Sequence, residues 1–207
     1  MRNSKKQNRK EQLLRIASIV FAEKGYHATS IDDIKKRAGV ARGTVYNYFD
    51  SKRDIFDMLI RDYTQSILSH ISIFDTSSSL SLIEQFNKNV SGIVEIISRN
   101  KELTRIISSE AVGLDSEFDH QLILFYAQLS EYIEGALTML QKNGDIDSDI
   151  NVRLLAFALI GTIKEVTYQW ALDKGSVLDM DPLIKSLQHF DISRYINFRG
   201  NFLKDEK

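Results

Sequence analysis

The chain has 207 residues, 43% apolar and 27% charged, with a single proline and no cysteine. That balance excludes a disordered chain, a collagenous fibre, a disulfide scaffold and a cysteine-ligated zinc site, and it leaves one or two compact soluble domains. The formal charge is only −1, but through Arg61 there are 14 Lys and Arg against 7 Asp and Glu, and beyond it 13 against 21.

Apolar residues recur at helical spacing almost throughout and alternating patterns are scarce, which predicts an all-α protein of about nine or ten helices. An N-terminal three-helix helix-turn-helix domain is expected over 1–54, joined by a long helix to a larger C-terminal helical bundle over 55–207. The first helix is predicted from about Arg9 to Lys24, with Leu13, Ile16, Ala17, Val20 and Phe21 on one face. Gly25 is placed to end it in a left-handed conformation, with Tyr26 packing back over the helix end. Ser30 with Asp33, and Ser51 with Asp54, resemble capping boxes and set helix starts near Ile31 and Lys52. Between them Gly39 permits a sharp turn, and Val40 and Val45 seal a small core against Ile31, Ile34 and Phe49. A long helix is predicted from Lys52 to about Phe74, followed by a flexible link, Asp75 to Ser79. Ser81 with Glu84 opens the next helix, Asn100 caps another, and Ser116 opens an aromatic-rich helix ending near Gly144. The last large helices are predicted from Ile150 to about Lys174 and, capped by Asp181 with Pro182 at its first position, to about His189, with a short terminal helix after Asp191.

The basic front suggests a polyanionic partner, because counterion release rewards cations clustered on a phosphate backbone; a solvated basic surface is the plainer alternative. The longest nearly apolar run, Leu154 to Ile163, is well short of the roughly 18 to 20 residues that span a bilayer. The polar, basic start also lacks a signal peptide's apolar centre. No membrane partner is expected, and the expected location is the cytoplasm.

In the predicted helix from Arg42 to about Tyr48, Arg42 can fork onto guanine O6 and N7, Gly43 leaves room for a close sugar–phosphate approach, and Thr44 can reach a phosphate or a thymine methyl. Tyr46, Asn47 and Tyr48 bring hydroxyl and amide groups to the rim. The Lys52 ammonium joins a positive helix end, and Thr29 and Ser30 stand at the start of the second helix. Each also admits a structural reading, with Thr29 and Ser30 as turn and cap residues and Tyr48 as a buried ring.

The run from Thr29-Ser30-Ile31-Asp32-Asp33-Ile34 through Ala38-Gly39-Val40-Ala41-Arg42-Gly43-Thr44-Val45-Tyr46-Asn47-Tyr48-Phe49 to Lys52 resembles the amino-terminal domain of the tetracycline-repressor (TetR) family of bacterial transcriptional regulators. The resemblance extends back to Phe21, Glu23, Lys24, Gly25 and Tyr26, and covers the first quarter to third of the chain. It departs at Ala41, where the family often has serine or threonine, so a helix-capping hydroxyl or one phosphate contact is missing. The resemblance implies a sequence-specific DNA-binding regulator that represses from a palindromic operator and is nucleoid-associated when bound. Tyr46, Asn47 and Tyr48 would then position phosphates.

So short a recognition helix reads too few bases alone, which implies a homodimer on two half-sites. The resemblance places the dimer interface on the last two long helices, where Ala156, Ala158 and Gly161 beside Leu155, Leu159 and Ile160 permit close approach. It also implies a pocket for an unidentified small-molecule effector, partly apolar or aromatic. Phe86, Glu110, Phe118, Phe125, Tyr126, Glu165, Tyr168 and Trp170 are the candidate lining, with core packing as the alternative for each ring. Glu165 is singled out because an ionised carboxylate in an apolar run is costly unless paired. Effector binding that displaces the long helix after Lys52 would weaken DNA binding by linkage.

An enzyme is the first rival class, and its best case is Glu117, Asp119 and His120, with no recognisable catalytic motif around them. No catalytic residue, cofactor or metal is expected. The second rival keeps the DNA-binding domain and gives the remainder a protein partner instead of a metabolite.

Overall fold

A computed structural model of the chain describes residues 2–108 and 116–172. Among the described residues there are eight α-helices and no strand: α1 Arg2–Lys24, α2 Ile31–Ala38, α3 Arg42–Tyr46, α4 Lys52–His70, α5 Leu82–Arg99, α6 Lys101–Ile106, α7 Ser116–Asn143 and α8 Val152–Leu172. The expected all-α class and amino-terminal helix-turn-helix hold. Glu110, Lys174, the predicted helix from Pro182 to His189 with its Asp181 cap, and the segment after Asp191 lie outside the described residues.

The described residues divide into two compact units, one formed by residues 2–66, 100–108 and 116–123, the other by residues 67–99 and 124–172. In the first unit α1 begins seven residues earlier than the apolar period implies. Its start is rich in Lys, Arg and Gln, all good helix formers, and Gln7 donates to Glu11 (2.8 Å) and Arg9 to Gln12 (2.7 Å) one turn on. Gly25 ends α1 at φ 84° and Gly39 ends α2 at φ 63°, both left-handed as the sharp turns require. Tyr26 packs on Phe21 with ring centroids 5.7 Å apart.

Ser30 and Asp33 form a full capping box at the start of α2. At α4 the Ser51 hydroxyl accepts the Asp54 N–H (3.0 Å), while the Asp54 carboxylate reaches one residue further back, to the Asp50 N–H (3.0 Å). Leu13, Ala17, Phe21, Ile34, Val45, Phe49 and Phe56 are buried in this unit. Phe56 meets Phe21 and Phe118 edge-on at 5.3 and 5.1 Å. The Tyr63 hydroxyl on α4 bonds that of Thr104 on α6 (2.9 Å). Asn100 stands at the start of α6 as expected, but its side chain makes no capping bond.

In the second unit α4 stops at His70, a turn before the predicted Phe74, because side chains of α5 take over the backbone that follows. The Asn89 carboxamide accepts the Ser72 N–H (3.1 Å) and donates to the Ser72 carbonyl (2.8 Å). One turn earlier, Gln85 accepts from the Asp75 N–H (2.8 Å) and donates to the carbonyls of Asp75 (2.9 Å) and Leu80 (3.0 Å). Two amides at i, i+4 therefore clamp an extended segment to α5. The predicted link is folded as well, since Asp75 accepts from the Ser77 N–H (2.8 Å) and hydroxyl (2.6 Å), which lowers the Asp75 pKa.

The His70 imidazole lies directly on Gly92, where a Cβ would come within 2.0 Å of Nε2. Ser81 and Glu84 cap α5 as predicted, with Ser81 N donating to Glu84 (2.8 Å) and Glu84 N to the Ser81 hydroxyl (3.3 Å). Gly144 (φ 87°) closes α7, and the Asn151 carboxamide accepts the N–H groups of Arg153 and Leu154 (3.1 Å each) to open α8. Phe86, Leu137, Leu140, Ile146 and Ala156 form the main apolar cluster, and Val94, Trp170 and Ala171 form a smaller one.

Candidate nucleic-acid interface and ligand cavity

Val45 is fully buried and fixes the rotation of α3, so that Arg42, Gly43, Tyr46 and Asn47 are exposed while Thr44 and Tyr48 are half-buried. The regular helix ends at Tyr46, two residues before the predicted end. Asn47 and Tyr48 continue as a turn, with the Tyr48 N–H on the Val45 carbonyl at 3.0 Å. Ala41 stands at the N-cap without a side-chain bond, as the missing hydroxyl implies. Nothing lies within 4 Å of where a Gly43 Cβ would point. Glycine weakens a helix, and among the described residues no neighbouring group lies close enough to require it here.

Arg42 is not splayed into solvent. Its Nη2 donates to the Tyr46 hydroxyl (3.3 Å), its Nη1 lies 3.4 Å from Asp32 Oδ2, and its guanidinium sits 5.6 Å from the Tyr46 ring centre. The Tyr46 bond, then the Asp32 charge, hold the guanidinium above its ordinary pKa. Asp32 also pairs with Lys35 (2.8 Å), and that bond first, with the Arg42 charge, lowers its carboxyl. Asp32 was not legible as Arg42's partner, since ten residues and a turn separate them.

Thr29 is 3% exposed and its hydroxyl donates to the Gly25 carbonyl (2.7 Å), so it closes the turn between α1 and α2 and faces inward. Ser30 is exposed, and its hydroxyl and N–H both engage Asp33 (2.6 and 2.9 Å). Lys24 and then Ser30 hold the Asp33 carboxyl far below the carboxylate range. The Lys52 ammonium donates to the carbonyls of Tyr26 (2.7 Å) and His27 (3.3 Å) and lies 4.4 Å from the Tyr26 ring centre. Partial burial lowers its pKa, and two of its three donors are spent inside the chain.

The second unit contains a cavity of about 50 Å³, walled by α5, α7, α8 and Ile71. Of the residues predicted to line a pocket, Phe86 does so. Phe118 is fully buried in the first unit against Phe56. Phe125 is buried beside Tyr126, with ring centres 5.1 Å apart. Tyr126 lines a separate open groove, where the Lys164 ammonium lies 5.3 Å from its ring centre and burial raises its phenol. Tyr168 is half-buried, and Trp170 is buried against Val94 and Ala171. Glu165 corrects the expectation of a costly buried carboxylate, because it is exposed and accepts from Gln169 (2.7 Å). The apolar run around it contains an outward face that the run itself does not reveal.

That face also divides the predicted interface residues. Ala156 is fully buried, and Leu155 and Leu159 pack on the Phe86 cluster within the same unit. Leu154, Phe157, Ala158 and Gly161 are exposed at helical i, i+3, i+4, i+7 spacing. Asn89, Tyr132, Thr162 and Ile71 are wall residues that periodicity did not single out. Among the described residues no cluster of metal-ligating side chains occurs, and no helix is long and apolar enough to cross a membrane.

Residues 13–59 match the family described as bacterial regulatory proteins, tetR family. The HTH-type transcriptional repressor KstR2 of Rhodococcus jostii (strain RHA1) is 30% identical over 176 residues, covering 84% of this chain and 85% of that protein. The fatty acid metabolism regulator protein of Bacillus subtilis (strain 168) is 26% identical over 162 residues, 78% and 83% of the two chains. The crystal structure of the Bacillus subtilis regulator FadR in complex with stearoyl-CoA superposes with a TM-score of 0.70 at 26% identity, over 88% of this chain and 97% of that one. With a matching helix-turn-helix, a recognition helix turned polar side out and a repressor relative aligned along most of both lengths, the chain belongs to the TetR family of bacterial transcriptional regulators.

Proposed function

We propose that the protein is a homodimeric repressor that holds a palindromic operator in the bacterial nucleoid and is released by a small-molecule effector bound in its second unit. The observation that carries this is the division of α3, with Val45 in the core and Arg42, Gly43, Tyr46 and Asn47 exposed together. Arg42 reads a guanine edge, exchanging its Tyr46 and Asp32 contacts for O6 and N7. Tyr46, Asn47, Thr44 and Tyr48 fix register on phosphate, with Ser30 at the start of α2 and the remaining Lys52 donor beside it. Thr29 supports this surface from behind.

The partner in the dimer is a second copy seated on the exposed α8 face at Leu154, Phe157, Ala158 and Gly161, because large apolar groups in contiguous exposure mark an interface. A protein of this kind works in the cytoplasm as a binding switch, with no catalytic step. The stearoyl-CoA complex of the Bacillus subtilis regulator supports a metabolite as effector. Residues 1–54 and 55–207 divide the work into DNA reading and effector sensing with dimerisation.

The test is genome-wide footprinting followed by titration of the recovered site with purified protein. A palindromic footprint occupied by two chains, with discrimination over random DNA of at least about a thousandfold, is expected. A chain that sediments as a monomer with and without DNA, or that binds all sequences equally, overturns the reading.

A further inference from the structure

Asp32 puts a carboxylate on the face of the helix-turn-helix that, as proposed above, meets DNA. It is exposed beside the exposed Arg42, in the first turn of α2. A negative charge there is repelled by phosphate whatever the sequence. The fold gives little in return, because Ser30 and Asp33 already form the capping box of α2, and Asp33 already sets an acid against the positive helix end.

The two carboxylate oxygens have different partners. Lys35 Nζ lies 2.8 Å from Oδ1, while Arg42 Nη1 lies 3.4 Å from Oδ2. Lys35 stands one turn along the same helix, so it keeps its hold when Arg42 turns to a guanine edge. The move leaves Oδ2 without that donor and the carboxylate still oriented through Oδ1. An ionised carboxylate only accepts hydrogen bonds. In the major groove the base donors are cytosine N4 and adenine N6, whereas guanine O6 and N7 and thymine O4 are acceptors that oppose it. Oδ2 and the guanidinium are separated by about the rise of one base step, which brings Oδ2 to the pair next to the guanine.

We propose that Asp32 is a second base-reading residue, whose Oδ2, vacated when Arg42 forks onto guanine, accepts from the exocyclic amino group of a cytosine or adenine in the neighbouring base pair. This rests on the repressor reading above and adds a specificity-determining residue to it. The same charge penalises wrong sites, since opposite guanine or thymine it faces an acceptor and stays unpaired.

The test measures binding of the full chain to the recovered operator and all its single-base variants at one salt concentration, for the parent, Arg42→Ala, Asp32→Ala and Asp32→Asn. The parent prefers an amino-bearing base about tenfold at a position adjacent to the one that Arg42→Ala flattens, and the panel distinguishes cytosine from adenine. Asp32→Ala erases that preference and keeps the guanine preference beside it. Asp32→Asn moves the preference toward adenine, whose N6 and N7 fit a carboxamide. A second measurement changes the DNA instead of the fold. N4-methylcytosine or N6-methyladenine at that position replaces the groove-facing amino hydrogen and keeps the base pair; it weakens the parent about tenfold and leaves Asp32→Ala within about twofold. Asp32 variants that tighten on every sequence by one factor with the parent's preferences intact overturn the inference, because the carboxylate then acts through charge alone. An equal loss on methylated DNA for parent and Asp32→Ala overturns it as well. A parent that selects guanine at the Arg42 position and nothing beside it defeats this inference alone, whereas a parent that binds all sequences equally defeats the repressor reading with it.

Discussion

α3 and α8 are built with opposite orientations. In α3 the apolar Val45 is fully buried and the polar side chains face out, whereas in α8 Leu154 is 64% and Phe157 49% exposed while Thr167 is 2% exposed. Thr167 tolerates burial because its hydroxyl donates to the Ile163 carbonyl one turn back (2.6 Å). The contrast teaches that which side of each helix is buried follows the packing of its own unit and not the polarity of the stretch. A polar exposed face is complete in water, while exposed apolar side chains such as Leu154 and Phe157 are what the second copy proposed above would cover.

The comparison breaks most decisively where a helix is needed by the fold itself. Phe56→Ala removes a fully buried ring held edge-on by Phe21 and Phe118, and is expected to cost about 3–5 kcal/mol in denaturant unfolding. A cost under about 1 kcal/mol would mean that this core is not the one described. Leu154→Asp with Phe157→Asp places charge on the outer face of α8. The chain is expected to keep its helix content, to sediment as a monomer and to lose operator affinity about a hundredfold or more. Arg42→Ala is expected to lower operator affinity roughly ten- to a hundredfold and to relax the preference at one base position, read by binding to a panel of single-substitution sites. Lys52→Gln should weaken all sequences alike and reduce the salt slope by about one. It should also loosen the turn at Tyr26 and His27, which amide exchange there would report.

The smallest effect sharpens the comparison through acid. Asp33 in the first unit, and Asp75 and Glu84 in the second, have folded pKa values below their ordinary 3.8, 3.8 and 4.5. Their contribution is therefore complete above those ordinary values and drains away as pH falls below them through the folded ones. Both units should lose stability on the acid side of about pH 4.5, and Asp33→Asn should flatten that limb for the first unit alone. A second unit flattened equally by this substitution would contradict the assignment of separate caps.

Much of the first unit was legible because its signals are local. Ser30 with Asp33 and Gly39 lie within a few residues of the backbone groups they satisfy, and Val45 against Phe49 is a one-turn relation. Asp32 escaped because its partner Arg42 is across the turn. In the second unit the Ser81–Glu84 capping pair and the helix end near Gly144 were equally readable, but the end of α4 was not. Ile71 to Phe74 continue an apolar pattern that fits a helix, and what stops it is a pair of amides more than ten residues away. Periodicity also failed to sort the α8 run, where Ala156 turns inward and Ala158 outward although their side chains are nearly alike. Aromatic content proved a poor guide to the cavity, since of the rings chosen on that basis Phe86 alone reaches it. Its walls are mainly aliphatic, and aliphatic residues on helices carry no mark that separates a void from a core.

The imidazole resting on Gly92 is a close contact that the chain can relieve without moving its backbone. Replacing the glycine hydrogen with a methyl group makes the His70 imidazole swing aside, and because that ring is exposed at the end of its own flexible side chain the move is cheap, so Gly92→Ala should leave the stability of this unit within about 1 kcal/mol in denaturant unfolding.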